Sequence, residues 1–173
     1  EWWRSVNYVE DDGSFDLDAA EVRDGATTVT VAAPLDEIPL FVRAGAVIPM
    51  LAPDVFTLAE YGDDPSIVHR SDRDHLLHML AFPHGERSGS FYDTGSYESV
   101  EGDGTWSLLI EGDRERTIVL QASMTTLEKP IEPCSVTLDG TDIPATDWSY
   151  DAENGVLDVE YTTTEGVLVV SGC

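Results

Sequence analysis

The chain has 173 residues, and its 34 acidic groups face only nine basic ones, a formal net charge of −25. That charge repels phosphate backbones and anionic lipid, which excludes nucleic acid and membrane surfaces as partners, and no run approaches the ~18 apolar residues that a membrane span requires. A composition that is 42% hydrophobic, with four Trp, six Tyr and five Phe, excludes disorder and suits one ordinary domain or two small ones. The carboxylates are expected to solvate the surface. With Lys129 the only lysine, the same balance would also fit a salt-rich setting.

Helical periodicity is almost absent along the chain. Short β-rich runs recur instead, divided by turn residues at intervals of ~8–12, the pattern of a sandwich or barrel. Thr27–Val31 alternates polar and apolar residues as a half-buried strand does. Ile38–Arg43 and Val47–Met50 follow as strands on either side of Ala44-Gly45-Ala46, with prolines at their flanks, where lost ladder donors are tolerated. Residues 52–74 read as a surface excursion, with room for a short helix around Val55–Tyr61, and residues 75–82 form the next strand.

The rhythm resumes after Gly85. Ser90-Phe91-Tyr92 leads into the turn Asp93-Thr94-Gly95, and Tyr97–Val100 is followed by a turn through Glu101–Gly104. Trp106–Ile110 and Arg116–Ala122 are expected to form a hairpin joined through Glu111-Gly112-Asp113. Ser135–Leu138 runs into Asp139-Gly140, a strong two-residue hairpin signal. Trp148-Ser149-Tyr150, the turn Asp151–Gly155, Val156–Tyr161 and Val167–Val170 complete the chain. The expected fold is all-β: two small antiparallel β-sandwich domains in tandem, 1–84 and 85–173, divided at the Pro-Gly-charged stretch near 83–88.

No residue pattern assembles a catalytic, cofactor or metal site. Asp11-Asp12-Gly13 and Asp63-Asp64-Pro65 pair carboxylates, but neighbours in a turn point apart, whereas glycosidase carboxylates flank a bond from separate strands. Asp103 and Asp113 sit in Gly-bearing turns without the spacing of a calcium loop. His75 and His78 fall on opposite faces of a strand, and His69 and His84 stand apart from them; packing or edge roles are expected for all four. Cys134 and Cys173 match no zinc pattern. A disulfide between them would close a loop of about forty residues, but free thiols are the favoured reading because Cys173 ends the sequence. Two aromatic groups, Trp2, Trp3 and Tyr8, then Phe91, Tyr92, Tyr97 and Trp106, offer either sugar-stacking platforms or core packing, and core packing is favoured.

The stretch Ala33–Pro49 (APLDEIPLFVRAGAVIP) resembles a segment of glycoside hydrolase family 31, the α-glucosidase and α-xylosidase type. In that family the segment lies in the β-sandwich that follows the catalytic (β/α)8 barrel. Glu1-Trp2-Trp3 looks like the strand preceding it, and Asp24-Gly25 like the turn between. Leu80–Pro83 and Gly89–Tyr97 are similar to the opening of the distal sandwich, although the turn Tyr92-Asp93-Thr94-Gly95 is shorter and less acidic than the family's, and residues 136–170 fit the rest loosely.

The resemblance implies a non-catalytic region, because the family's nucleophile and acid/base aspartates lie on barrel strands that have no counterpart here. No catalytic residue carries over. The implied role is an accessory module that packs on and stabilises the barrel of the same polypeptide, an α-glycosidase, with a secreted or periplasmic setting favoured. Gly45 would supply a positive φ there and Arg43 a polar anchor. The alternative is a carbohydrate-binding module for neutral α-glucans with an aromatic platform in the distal domain.

Overall fold

A computed structural model describes the backbone of residues 2–8, 15–16, 23–24 and 40–173, apart from 56, 60, 61, 63, 65, 92 and 93, with side chains from Phe41 onward. The strand expected at Thr27–Val31 and the acidic turn at Asp11–Gly13 lie outside the described residues. What is described is nearly all β, and its helical segments are two short 3-10 turns, Arg70–Arg73 and Met124–Thr126.

The strands fall into two sheets. In the smaller one, β1 (Trp2–Tyr8) pairs antiparallel with β2 (Phe15–Asp16), β3 (Arg23–Asp24) and β4 (Leu40–Arg43). The larger sheet has nine strands: β5 (Val47–Met50), β6 (Leu76–Ala81), β7 (Glu86–Phe91), β8 (Gly95–Glu101), β9 (Thr105–Ser123), β10 (Pro133–Leu138), β11 (Thr141–Asp142), β12 (Trp148–Asp151) and β13 (Val156–Gly172).

Two strands are far longer than the sequence suggests. Trp106–Ile110 and Arg116–Ala122 do not form a hairpin but are the two halves of β9, 19 residues long. Val156–Tyr161 and Val167–Val170 likewise join into β13, 17 residues long. These two strands pair antiparallel along nearly their whole length, with one break, where Thr163 pairs with Arg116 and Glu165 with Glu111. One residue of β13 thus faces four of β9 in a bulge. Buried positions in β13 switch there from Leu157, Val159 and Tyr161 to Leu168 and Val170, an odd-to-even change that marks a corner. Gly112 sits in the bulge because a Cβ there would lie 3.2 Å from the Thr164 carbonyl. The Glu-Gly-Asp signal is therefore a bend within a strand rather than a chain reversal.

The bend divides the ribbon between two layers. The first half of β9 pairs with β8, and the last part of β13 with β10; the second half of β9 pairs with β6, and the first part of β13 with β12. Inward side chains of both layers meet in one core, including Trp106, Leu108, Ile110 and Leu168 from one and Leu77, Met79, Ile118, Leu120 and Leu157 from the other. The architecture is sandwich-like.

Among the described residues all strand pairings are antiparallel except β6 with β9, whose parallel register runs from Leu76↔Thr117 to Ala81↔Ala122. That pairing spans the sequence boundary at 84/85, and Val47, Leu77, Met79 and Ala81 share the core built around Trp106. β6 reaches β9 through two intervening strands, a connection long enough for parallel pairing.

Turn chemistry sets several of the reversals. Asp139 and Gly140 both take positive φ, 51° and 77°, the backbone that a two-residue hairpin between β10 and β11 demands. Asp139 is fastened further, its Oδ1 accepting from the Val167 amide at 2.9 Å. The Asp151 carboxylate caps its turn by accepting from the amides of Glu153 (2.9 Å) and Asn154 (3.3 Å). The helix expected around Val55–Tyr61 does not form among its described residues. Thr57 bridges His69 instead, and its hydroxyl accepts from the Ala59 amide at 3.2 Å, a local bond that competes with helix.

Cys134 and Cys173 are joined in a disulfide, with Cα atoms 5.3 Å apart, which corrects the expectation of free thiols. The pairing of β10 with β13 carries Cys173 alongside Cys134: Pro133 pairs with Gly172, and the Cys173 amide donates to the Glu132 carbonyl at 3.2 Å. The ladder reaches Gly172, the residue before Cys173, and so sets Cys173 beside its partner.

Candidate functional site

Two aromatics of the distal half, Phe91 and Trp106, are consumed by packing. Trp106 is fully buried, its Nε1 donating to Ser99 Oγ at 2.9 Å, and Phe91 is buried in the same core. Tyr97 packs against that core and lies over Gly89, where a Cβ would meet its ring 2.8 Å away. Tyr92 and the side chains of Trp2, Trp3 and Tyr8 lie outside the described residues. Core packing, the favoured reading, holds for Phe91 and Trp106, which therefore offer no face to a sugar.

The acidic turns are occupied locally. Asp64 accepts from the Ser66 amide (3.0 Å) and hydroxyl (2.7 Å), which lowers its carboxyl below the ordinary value. Asp103 pairs with Lys129 at 3.3 Å on the exposed surface. Asp113 is drawn down to about 2 by its hydrogen bonds to Arg114 and then Arg116. It belongs to a network at the β9 bend in which Arg114 also binds Asp74, Arg116 donates to the Asp74 carbonyl at 3.1 Å, and Arg73 grips Asp54. The bonds of Arg114 and Arg116 to Asp74 stitch the excursion to the corner of the sandwich. The cavity beside them measures about 20 Å³, room for roughly one water.

The histidines do not converge. His69 is buried, with Nδ1 3.3 Å from Asp72 Oδ2, and His84 Nδ1 lies 3.0 Å from the Thr126 carbonyl. His75 is exposed, while His78 is half-buried on β6, where burial depresses its pKa against the opposing pull of Asp54 and Glu160. No group of three metal-binding side chains forms among the described residues.

The segment that carries the family resemblance makes a joint. β4 belongs to the small sheet and β5 to the large one, and the link between them turns at Gly45, φ 87°. Both Ala44 and Gly45 are buried, and a Cβ on Gly45 would meet Arg87 Cγ at 2.7 Å and the His84 carbonyl at 3.2 Å. Glycine is required twice over, by backbone sign and by space. The Gly45 and Phe82 backbones close the joint by exchanging bonds with the loop ends, Phe82 N donating to the Ala46 carbonyl at 2.8 Å. Beside it Phe41 leaves 39% of its surface exposed. Arg43 is exposed on the same strand.

A second feature had no signal in the sequence. An open trough of about 590 Å³ runs along β12 and the first part of β13, within the size range of ligand sites. Asp158, Glu160 and Thr162 stand at alternate, exposed positions of β13, and Ser149 pairs beside Asp158. Val119 of β9 lies opposite Glu160, while Asp147 and Trp148 complete the wall. Desolvation raises the Asp158 carboxyl above the ordinary value, partly offset by Gln121, whose Nε2 donates to Oδ1 at 3.1 Å. Alternating strand residues are common to any sheet. Only the register that aligns β9, β13 and β12 makes these neighbours.

Compared with models of known protein families and with curated proteins, the chain finds no match.

Proposed function

We propose that the chain is a non-catalytic C-terminal accessory region of a glycoside hydrolase acting on α-glycosides, and that it packs against and stabilises a (β/α)8 barrel in the same polypeptide. The observation that carries this reading is the joint at residues 40–50. The stretch that resembles family 31 is also the one that passes from the small sheet to the large one through a buried glycine turn, with an exposed phenylalanine alongside. A segment under such backbone and packing demands serves a scaffold, and an exposed aromatic next to it suits burial against a further domain. The disulfide supports an oxidising setting such as the periplasm or the exterior.

The reading is tested by Phe41→Ala in the full polypeptide. Loss of a phenylalanine buried at a domain contact should lower the melting temperature of the barrel. The same substitution should cost the isolated chain clearly less, since Phe41 is already partly exposed there. Equal effects in both would place Phe41 in the chain's own packing and count against a docking role.

A further inference from the structure

We propose that Asn154, in the turn between β12 and β13, is a modification site. Attack by the Gly155 nitrogen converts its side-chain amide to a carboxylate, the native turn holds that reaction back through Asp151, and the conversion, once made, opens the turn.

The chain has two asparagines, Asn7 and Asn154, and one glutamine, Gln121, and of these Asn154 alone is followed by glycine. The fold imposes that glycine. Gly155 takes φ 65°, and a Cβ there would lie 2.3 Å from Thr125 Cγ2. No side chain of its own therefore shields the nitrogen that adjoins the Asn154 amide. In the reaction the Gly155 nitrogen loses its proton and bonds to Asn154 Cγ, the Cγ–Nδ2 bond breaks, and ammonia leaves with that proton. Water then opens the resulting cyclic imide at either carbonyl. A carboxylate remains at position 154, on an aspartyl or an isoaspartyl backbone. Water is the only co-reactant, and nothing is oxidised or reduced.

The native turn restrains the first step. Asn154 Nδ2, the leaving group, donates to Asp151 Oδ2 at 2.9 Å, while Asp151 Oδ1 accepts from the Asn154 amide at 3.3 Å. One carboxylate thus grips both the side chain and the backbone of Asn154. The attacking residue is fixed as well, since Gly155 is buried and its carbonyl accepts from the Met124 amide at 2.8 Å. Ring closure swings Asn154 Cγ onto the Gly155 nitrogen and so breaks the bond to Asp151. Opening of the turn therefore gates the chemistry.

The product reverses the grip. A side chain that donates to Asp151 becomes a carboxylate, which only accepts. The Asn154 amide is the largest influence holding the Asp151 carboxyl below its ordinary value, and the Asp158 carboxyl, raised by desolvation, is raised further by Asp151. A further carboxylate in a turn that already carries Asp151 and Glu153 replaces attraction with repulsion.

The test is incubation of the 173-residue chain at mildly alkaline pH, folded and in denaturing urea, with peptide mass spectrometry locating each converted amide. The expected result is conversion at Asn154 ahead of Asn7 and Gln121, slower in the folded chain than in urea by about tenfold or more. Asp151→Ala, shown by its amide spectrum to be folded, should speed conversion in the folded chain several-fold. Asn154→Asp, which supplies the product directly, should speed amide hydrogen exchange across residues 149–157 and leave residues 133–138 unchanged. Equal rates in the folded and unfolded chain would overturn the proposal, and so would earlier conversion at Asn7 or Gln121. An Asp151→Ala rate equal to the native one, or unaltered exchange in Asn154→Asp, would do the same. The comparison of folded and urea-unfolded chain requires no variant and decides the matter even where Asp151→Ala does not fold.

Discussion

The bent ribbon of β9 and β13 and the excursion of residues 51–75 are held in place by different forces. The ribbon buries Trp106, Leu108, Ile118, Leu120, Leu157 and Leu168 almost completely and links every other layer of the sandwich. The excursion buries little beyond Ala52 and His69 among its described residues, exposes 73% of Leu58, is cross-linked within itself by Arg73–Asp54, and is tied to β9 through Arg114 and Arg116 at Asp74. Apolar burial is insensitive to salt and pH. Exposed ion pairs are sensitive to both, and each contributes little. The two regions should therefore respond oppositely when conditions change, although they belong to one chain.

The largest expected effect is on the ribbon. Trp106→Ala removes a fully buried indole and strands the Ser99 hydroxyl, and should cost ~3–5 kcal/mol in urea denaturation. A loss under about 1 kcal/mol would mean that the core does not depend on this layer. Next comes the disulfide, which spans 39 residues and clamps β13 to β10. Cys134→Ser with Cys173→Ser should lower stability by ~3–4 kcal/mol, fraying the β10 end first by hydrogen exchange. Uniform loss of protection would contradict a local clamp.

The smallest effects belong to the excursion. Asp74→Asn should cost less than ~1 kcal/mol globally, while amides of residues 66–75 exchange faster. Salt should sharpen the contrast, since raising it screens the self-repulsion of a −25 chain and so raises the melting temperature, yet loosens the excursion. Acid acts on the same network. The Asp113 carboxyl is depressed to about 2 by Arg114 and Arg116, so its contribution is present above the unfolded value of 3.8 and is lost as pH falls towards 2. An NMR titration of Asp113 should show this low midpoint, and Arg114→Ala should move it upward. A midpoint near 4 in the native chain would mean that the bend is not braced by these charges.

Much of this fold was legible in the sequence because strand alternation and turn residues act locally. Asp139-Gly140 gave its hairpin through the left-handed backbone both residues adopt, and Gly45 its positive φ. The all-β class followed from the strand rhythm. What escaped was non-local. Glu111-Gly112-Asp113 has the composition of a turn, and only the partner strand, with Thr164 pressed against Gly112, decides that the chain bends instead of reversing. The disulfide was misjudged for a related reason: Cys173 ends the chain, but the β13–β10 ladder, invisible in the sequence, holds it beside Cys134. The trough depends on the alignment of three strands from separate stretches, so Glu160 and Asp158 carried no signal at all. The aromatic residues were legible as packing, and that reading held for Phe91 and Trp106.

The central claim is that this chain serves a larger glycosidase, and the size of the native polypeptide tests it most directly. An antibody raised against the chain, used to blot an extract of the source cells, should detect a band larger by at least a barrel's ~250 residues. A band at the size of the chain itself would contradict the account.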